Sequence, residues 1–407
     1  MCRTGFPGLA AVLALAATVM SQGALAQEVK VGVVLPYTGV GAELGQQMDR
    51  GLELYLKLNA DQVKPYKITL IKRDSKAPDG VGAKVAVQEL LTQDKVDAIV
   101  GFSYSPDAIA SAPVISAGKK LAVIANAGTS FITNLSPDFV RTSFTMWHSG
   151  YSLGTEAAKT LHAKTAVVAY SDYPPGKDSL EAFKNAFEAS GGKVIDAIPA
   201  GAPAPFPISR HSSSARRTRN ETSCTCLCRP AITRLQRGQD LWRARHGLRR
   251  HQTDRPRRRC PGFQASGYGS CRGRPDHDTQ HYNADLDNPQ NKRFVAAWKK
   301  EYGADAVTDF FSVGAYDAMA ATVHAVQATN GKMDGDAAVK SLLGWKFDSP
   351  QGPIMIDPET RDIVMNEYLS EVVMGKDGKL HEKQLSVVTN VKDQCKVLAI
   401  GSCAPKK

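Results

Sequence analysis

From residue 28 to residue 202 the apolar and polar positions alternate between two periods. Val29 to Leu35 (VKVGVVL) is a nearly continuous apolar run closed by Pro36, the pattern of a parallel strand buried on both faces. A glycine-bearing loop, YTGVGAELG, leads into helical spacing at Leu44, Met48, Leu52 and Tyr55. The same unit recurs, with strands at 68–71, 96–100 and 122–125 and helices at 81–91 and 108–117. A second set begins near Ser143, with helices at 151–161 and 180–190 and strands at 165–170 and 193–198. Strict strand–helix alternation predicts doubly wound parallel sheets, and a chain of 407 residues predicts two lobes. The expected class is α/β, with two parallel-sheet lobes joined by a hinge.

In open parallel sheets, ligands bind beyond the carboxyl ends of the strands. Four such ends carry small and hydroxylic residues: Tyr37-Thr38-Gly39, Ser103-Tyr104-Ser105, Asn126-Ala127-Gly128-Thr129-Ser130 and Ser171-Asp172-Tyr173. Hydroxyls and backbone N–H groups at helix N-termini suit a carboxylate. Ser105-Pro106 reads as an N-cap followed by proline in the first turn, so Ser105 either caps its helix, contacts ligand, or does both.

The first 26 residues stand apart from this pattern. Arg3 precedes the apolar run LAAVLALAATVM, and Ala24-Leu25-Ala26 forms an A-x-A site, so 1–26 reads as a secretory signal peptide rather than a membrane anchor. No Cys follows the cleavage site, and no later segment is apolar enough to span a bilayer. Cys395 and Cys403 suit a disulfide in that oxidising setting, with a pair of surface thiols as the alternative.

Charge changes the picture only locally. The net charge of +11 suggests a nucleic-acid or membrane binder, but residues 203–280 alone hold 17 Arg, no Lys and 5 acidic residues. Elsewhere 34 cations face 35 anions. The same stretch holds five of the eight Cys and lacks both periods from about Phe206 until order returns at His281. Three readings compete: an Arg-rich nucleic-acid arm, a metal or disulfide module on C-x-C-x-C, and translation in a shifted frame. Back-translation with synonymous positions free favours the third. The shifted frames admit VLYVFV, IKLIG and AAVVRIM in chain order, which are strand-like runs at α/β spacing. Arg-rich recognition should show a fold or periodic face, and C-x-C-x-C has no second ligand cluster. Residues 206–280 are therefore expected to be out of frame and disordered, with the second lobe disrupted.

No G-x-S-x-G, Walker loop or zinc spacing occurs, and Gly39 and Gly41 lack the third glycine of a dinucleotide fingerprint. His148, near the expected hinge, reads as structural. An enzyme is thus the weaker class.

The ordered series VGVVLPYTGVGAELG, IVGFSYSPDAIASAPV, VIANAGTSFITNLSP, FVRTSF, SDYPPGKDSLEAFKNAFEASGGKV, SVGAYDAM and FDSPQGPIMIDPETRDI resembles the leucine/isoleucine/valine-binding family. These are type I periplasmic receptors of ABC transporters. The resemblance covers about 28–202 and 281–390. It implies a first lobe of 28–143 and 283–347, a second of 144–282 and 348–394, and a tail of 395–407. It implies ligand contacts at Ser105, Ala127 and Thr129, with Asn126, Tyr104 and Gly128 beside them. The family's first-loop aromatic falls at Leu44, with Tyr37 nearby. A second-lobe Tyr falls at Pro175, two residues from Tyr173. The family's acidic ammonium partner falls within 206–280. The resemblance further implies no cofactor, no metal and no catalysis. It implies a small solute (an amino acid, aromatic acid or amide), an inner-membrane permease as partner, no nucleic acid, a monomer, and a periplasmic location. A ligand-sensing receptor domain of the same fold, or a frame-damaged receptor, is the alternative.

Overall fold

The protein is described from a computed structural model covering residues 27–76, 78–199, 226–227, 276–375 and 380–405. The proposed signal peptide and most of 206–280 lie outside the described residues.

The first lobe is built on a fully parallel sheet. Strand β1 (Gln27–Leu35) is followed by α1 (Ala42–Leu58), the short α2 (Ala60–Val63) and β2 (Tyr66–Asp74). Then come α3 (Val81–Glu89), β3 (Ala98–Gly101), α4 (Ser105–Gly118), β4 (Ala122–Ile124) and β5 (Phe139–Arg141). The sheet order is β2-β1-β3-β4-β5, with Val29 opposite Ile68 and Val33 opposite Val100. The apolar runs therefore predict buried parallel strands correctly. Both faces of this sheet are covered, because successive side chains point to opposite sides. Val31, Val33 and Leu35 pack with α1, while Val34, Ile99 and Ile124 pack with α3 and α4.

The second lobe starts with α5 (Met146–Lys159), β6 (Thr165–Tyr170), α6 (Pro174–Ala189) and β7 (Lys193–Pro199). A two-residue β8 (Cys226–Leu227) pairs parallel to β6, giving the order β7-β6-β8. Strand β9 (Asp276–Gln280) pairs antiparallel with a later strand, β12 (Ile363–Met374). This corrects one expectation: order returns at Asp276, before the end of the stretch read as disordered. Its ladder to β12 and the burial of Thr279 (2% exposed) hold it there.

Both α5 and α6 begin earlier than their apolar periods suggest. Thr145 and His148 close a capping box at α5, and Pro174 occupies the first turn of α6. Caps set helix starts; periodicity marks only the buried face.

The chain then returns to the first lobe through α7 (Pro289–Tyr302), α8 (Phe310–Ala328) and α9 (Gly335–Leu342). Helix α8 is buried along most of its length, and α1 packs closely on it. A Cβ at Gly51 would stand 2.2 Å from the Ser312 carbonyl oxygen, so only glycine permits that approach. The hairpin of β10 (Lys346–Ser349) and β11 (Gly352–Ile356) sends Ile354 and Ile356 into the same core as α8. Next come β12 and β13 (Leu380–Val391), then the five-residue α10 (Gln394–Leu398). A disulfide joins Cys395 to Cys403, and Cys395 packs on Trp147 of α5.

Candidate functional site

The site is built from loops at the carboxyl ends of β3, β4 and β6. Gly101 turns the chain out of β3 at φ +134°, and a Cβ there would stand 2.3 Å from the Val34 carbonyl oxygen. Phe102 follows at φ +64°, unusual for a bulky residue, and is fully buried against Phe139. Such departures concentrate where a fold presents functional groups. Here the turn brings Ser103, Tyr104 and Ser105 to the space that also touches the start of α6.

Ser105 does not cap its helix. The N-cap of α4 is Tyr104, and Ser105 is the first helical residue. Its hydroxyl accepts instead from Thr129 N–H at 3.1 Å, across to the loop after β4. That loop is braced at nearly every backbone group. Ala127 N–H donates to Phe102 O at 2.9 Å, and Asn126 Nδ2 donates to Ser103 O at 2.6 Å. Gly128 O accepts from Met146 N–H at 2.9 Å, and Thr129 O accepts from buried Arg141 at 2.8 Å. Three of the loop's side-chain oxygens are left buried without a partner among the described residues, Asn126 Oδ1, Thr129 Oγ1 and Ser130 Oγ. A buried polar atom without a partner is uncommon, and groups aimed at a ligand are one explanation.

Between the lobes lies an enclosed space of about 20 Å³, room for about one water. Leu44, Ser103, Tyr104, Ser105, Asn126 and Gly128 line it from the first lobe. Phe144 and Met146 line it where the chain enters α5, Tyr173 and Pro175 at the start of α6, and Phe311 at the start of α8. The lobes are thus closed on one another, and admitting a ring-sized solute requires them to part. Burial raises the phenol of Tyr104 to about 12, and it raises Tyr173 further. Both stay neutral at physiological pH and present hydroxyls.

No charged side chain lines this space among the described residues. The N-termini of α4 and α6 both face it, bringing the positive ends of two helix dipoles together. An anion fits that field without a salt bridge.

The structure thus brings together Ser105, Tyr104, Asn126, Gly128, Tyr173 and Leu44 around one cavity. Ala127 and Thr129 do not line it; they lie buried in the loop that carries Asn126 and Gly128, with Ala127 N–H already engaged. Tyr37 lies elsewhere: its hydroxyl donates to Asp49 at 3.0 Å and its N–H to Asp74 at 2.8 Å. Position after β1 in sequence does not carry it into the cavity. Ser103, one of the hydroxylic residues expected after β3, also lines the cavity, whereas sequence reasoning missed Phe144, Met146 and Phe311. Phe144 stacks on His281 at 4.8 Å and meets Phe310 edge-on at 5.5 Å. Before folding, such residues read as ordinary core.

His148 has a structural post. Its Nδ1 accepts from Thr145 N–H at 2.9 Å, which leaves Nε2–H to donate to Ile363 O at 3.1 Å. Burial pushes its pKa down. No cluster of metal-ligating residues occurs, and no helix is long and apolar enough to cross a membrane, among the described residues.

A family model described as "Periplasmic binding protein" matches residues 28–215 and 278–379. The Leu/Ile/Val-binding protein homolog 6 of Brucella abortus is 32% identical over 386 residues, covering 92% of this chain and 94% of that protein. A solute-binding protein of an ABC transporter from Rhodopseudomonas palustris BisB5, solved with 3,4-dihydroxybenzoic acid, is 31% identical. The alignment covers 91% of this chain and 99% of that one, with a TM-score of 0.70. A second R. palustris solute-binding protein, solved with 4-hydroxybenzoate, is 28% identical, with 91% and 100% coverage and a TM-score of 0.72.

Proposed function

The chain belongs to the periplasmic binding protein family, and from that premise we propose that it captures a small aromatic carboxylate by hinge closure and delivers it to an inner-membrane ABC permease. The observation that carries this reading is the cavity itself. Two helix N-termini and several neutral hydroxyls favour a carboxylate. Leu44, Phe144, Met146, Pro175 and Phe311 favour an apolar ring. The apolar lining and the neutral hydroxyls together favour an aromatic acid. The two R. palustris relatives, solved with hydroxybenzoates, support the same choice.

In this reading Ser105, Asn126 and Thr129 hold the carboxylate, with Tyr104 and Gly128 beside them. Tyr173 closes over the solute from the second lobe, and Leu44 packs on its ring. The process is capture without catalysis: one lobe holds the solute, the other closes, and the closed form docks on the permease. In this reading a cleaved signal peptide exports the protein to the periplasm, where it works as a monomer. The test is calorimetric titration with 4-hydroxybenzoate and with leucine. One-to-one binding of the first and not the second supports the reading, and the reverse preference sinks it.

A second reading concerns the gene. The family match lapses between residues 215 and 278, within the stretch that carries the excess of Arg. This favours a shifted frame there and a second lobe with part of its wall altered. Sequencing the DNA across codons 195–290 tests it. A single open frame matching the printed chain would reject a reading error and leave a damaged receptor.

A further inference from the structure

One contact between the lobes is not explained by holding the solute. Asp178 lies on α6 in the second lobe and is 3% exposed. Its Oδ2 accepts from Ser130 N–H at 2.9 Å. Ser130 is fully buried and belongs to the first-lobe loop that carries Asn126 and Thr129. We propose that Asp178 is a closure residue: its carboxylate takes the Ser130 N–H as the lobes come together, and so fixes the loop that presents Thr129. The inference rests on the receptor reading above.

Three observations carry it. First, the loop's other backbone anchors come from Phe102, Ser105 and Arg141 in the first lobe and from Met146 at the entry to α5. Asp178 is the anchor from the body of the second lobe, beyond the chain crossing. Second, the carboxylate is kept buried at a cost. Burial raises its pKa to about 6, against the pull of Ser130 N–H and the Ser402 hydroxyl. The charged groups facing it, Asp393 near the tail and Glu181 one turn along α6, share its sign and raise it further. Third, α6 does not need the side chain, because Asp178 sits past its first turn and Tyr173 forms its N-cap. Asp178 acts through Ser130 and Thr129, so it is a positioning residue.

The experiment compares the full chain with D178A and D178N, using 4-hydroxybenzoate as probe. It reads affinity by calorimetry and Ser130 amide exchange by mass spectrometry, with and without the probe. In the native chain the probe should slow Ser130 exchange at least tenfold. D178A should abolish that slowing and weaken binding about 10- to 150-fold, the loss of one hydrogen bond to a charged group. D178N keeps an accepting oxygen without the charge and should restore both to within about tenfold of native. A merely structural residue would not give that rescue together with solute-dependent protection. Equal Ser130 exchange with and without probe, or native affinity in D178A, overturns the proposal. If the native chain does not bind the probe, the solute reading fails separately. The contact is then judged without solute: faster Ser130 exchange in D178A but not D178N upholds it, and unchanged exchange overturns it.

Discussion

Replacing Ser105 by alanine removes one oxygen from the wall of the cavity. The loss falls on Thr129 N–H, which is buried with its residue at 0% exposure and has the Ser105 hydroxyl as acceptor at 3.1 Å. A buried donor left without a partner costs about 1–3 kcal/mol. The adjoining space of about 20 Å³ admits about one water, which could take over part of the bond and favours the lower half of that range. If the hydroxyl also meets the solute carboxylate, the loss appears in binding, as a roughly 5- to 150-fold rise in Kd. Calorimetric titration of 4-hydroxybenzoate into native and S105A protein at one pH reads it, with melting temperature measured alongside. A rise in Kd with little change in melting supports a direct contact. A fall in melting temperature with Kd within twofold of native would show that Ser105 only braces the loop, and the carboxylate assignment would be wrong.

Other expectations follow from the same geometry. Y37F removes the bond to Asp49 outside the cavity, so Kd should stay within about twofold of native; a larger change would bring Tyr37 into the site. K396M breaks a cluster in which Lys396 (6% exposed) meets Asp362 at 2.5 Å, while Arg141 still reaches Asp362 at 3.4 Å. Because one partner remains, denaturant unfolding should show a loss of about 1–3 kcal/mol, below the 3–5 typical of a fully orphaned buried charge. Reducing the Cys395–Cys403 bridge opens a short loop and should cost about 2–3 kcal/mol, read as a lower melting temperature in dithiothreitol. Burial raises the carboxyls of Asp107 to about 8, Asp317 to about 7 and Glu367 to about 8. The folded state therefore holds protons that the unfolded chain has released, so stability should fall as pH rises from about 5 to 8. Melting temperature should drop across that window, and D317N should flatten the drop; a rise with pH would contradict the burial argument.

The first lobe was legible because its strands are buried on both faces. VKVGVVL and VDAIV can be read as strands without a partner in view. The ribbon of β12 and β13 was not, because NEYLSEVVM and LHEKQLSVVTN mix polar and apolar positions around a register that shifts twice. At the site, hydroxylic residues after β3 and β4 announced themselves by lying where parallel sheets bind ligands. Phe144 and Phe311 did not, because 167 residues separate them and only packing around α8 brings them to one wall. The role of Ser105 was ambiguous in the sequence: a serine before proline signals a cap, and only the fold reveals that its oxygen serves Thr129 instead. His148 and Asp178 show the same limit, since their partners Ile363 and Ser130 lie far along the chain.

The central claim is that this receptor prefers an amine-free aromatic carboxylate to an amino acid. Competitive titration of the full chain with 4-hydroxybenzoate and leucine tests it most directly. The account predicts saturable one-to-one binding of 4-hydroxybenzoate that a hundredfold excess of leucine does not displace. Saturable leucine binding, with 4-hydroxybenzoate inert, would contradict it and place an ammonium partner in the wall.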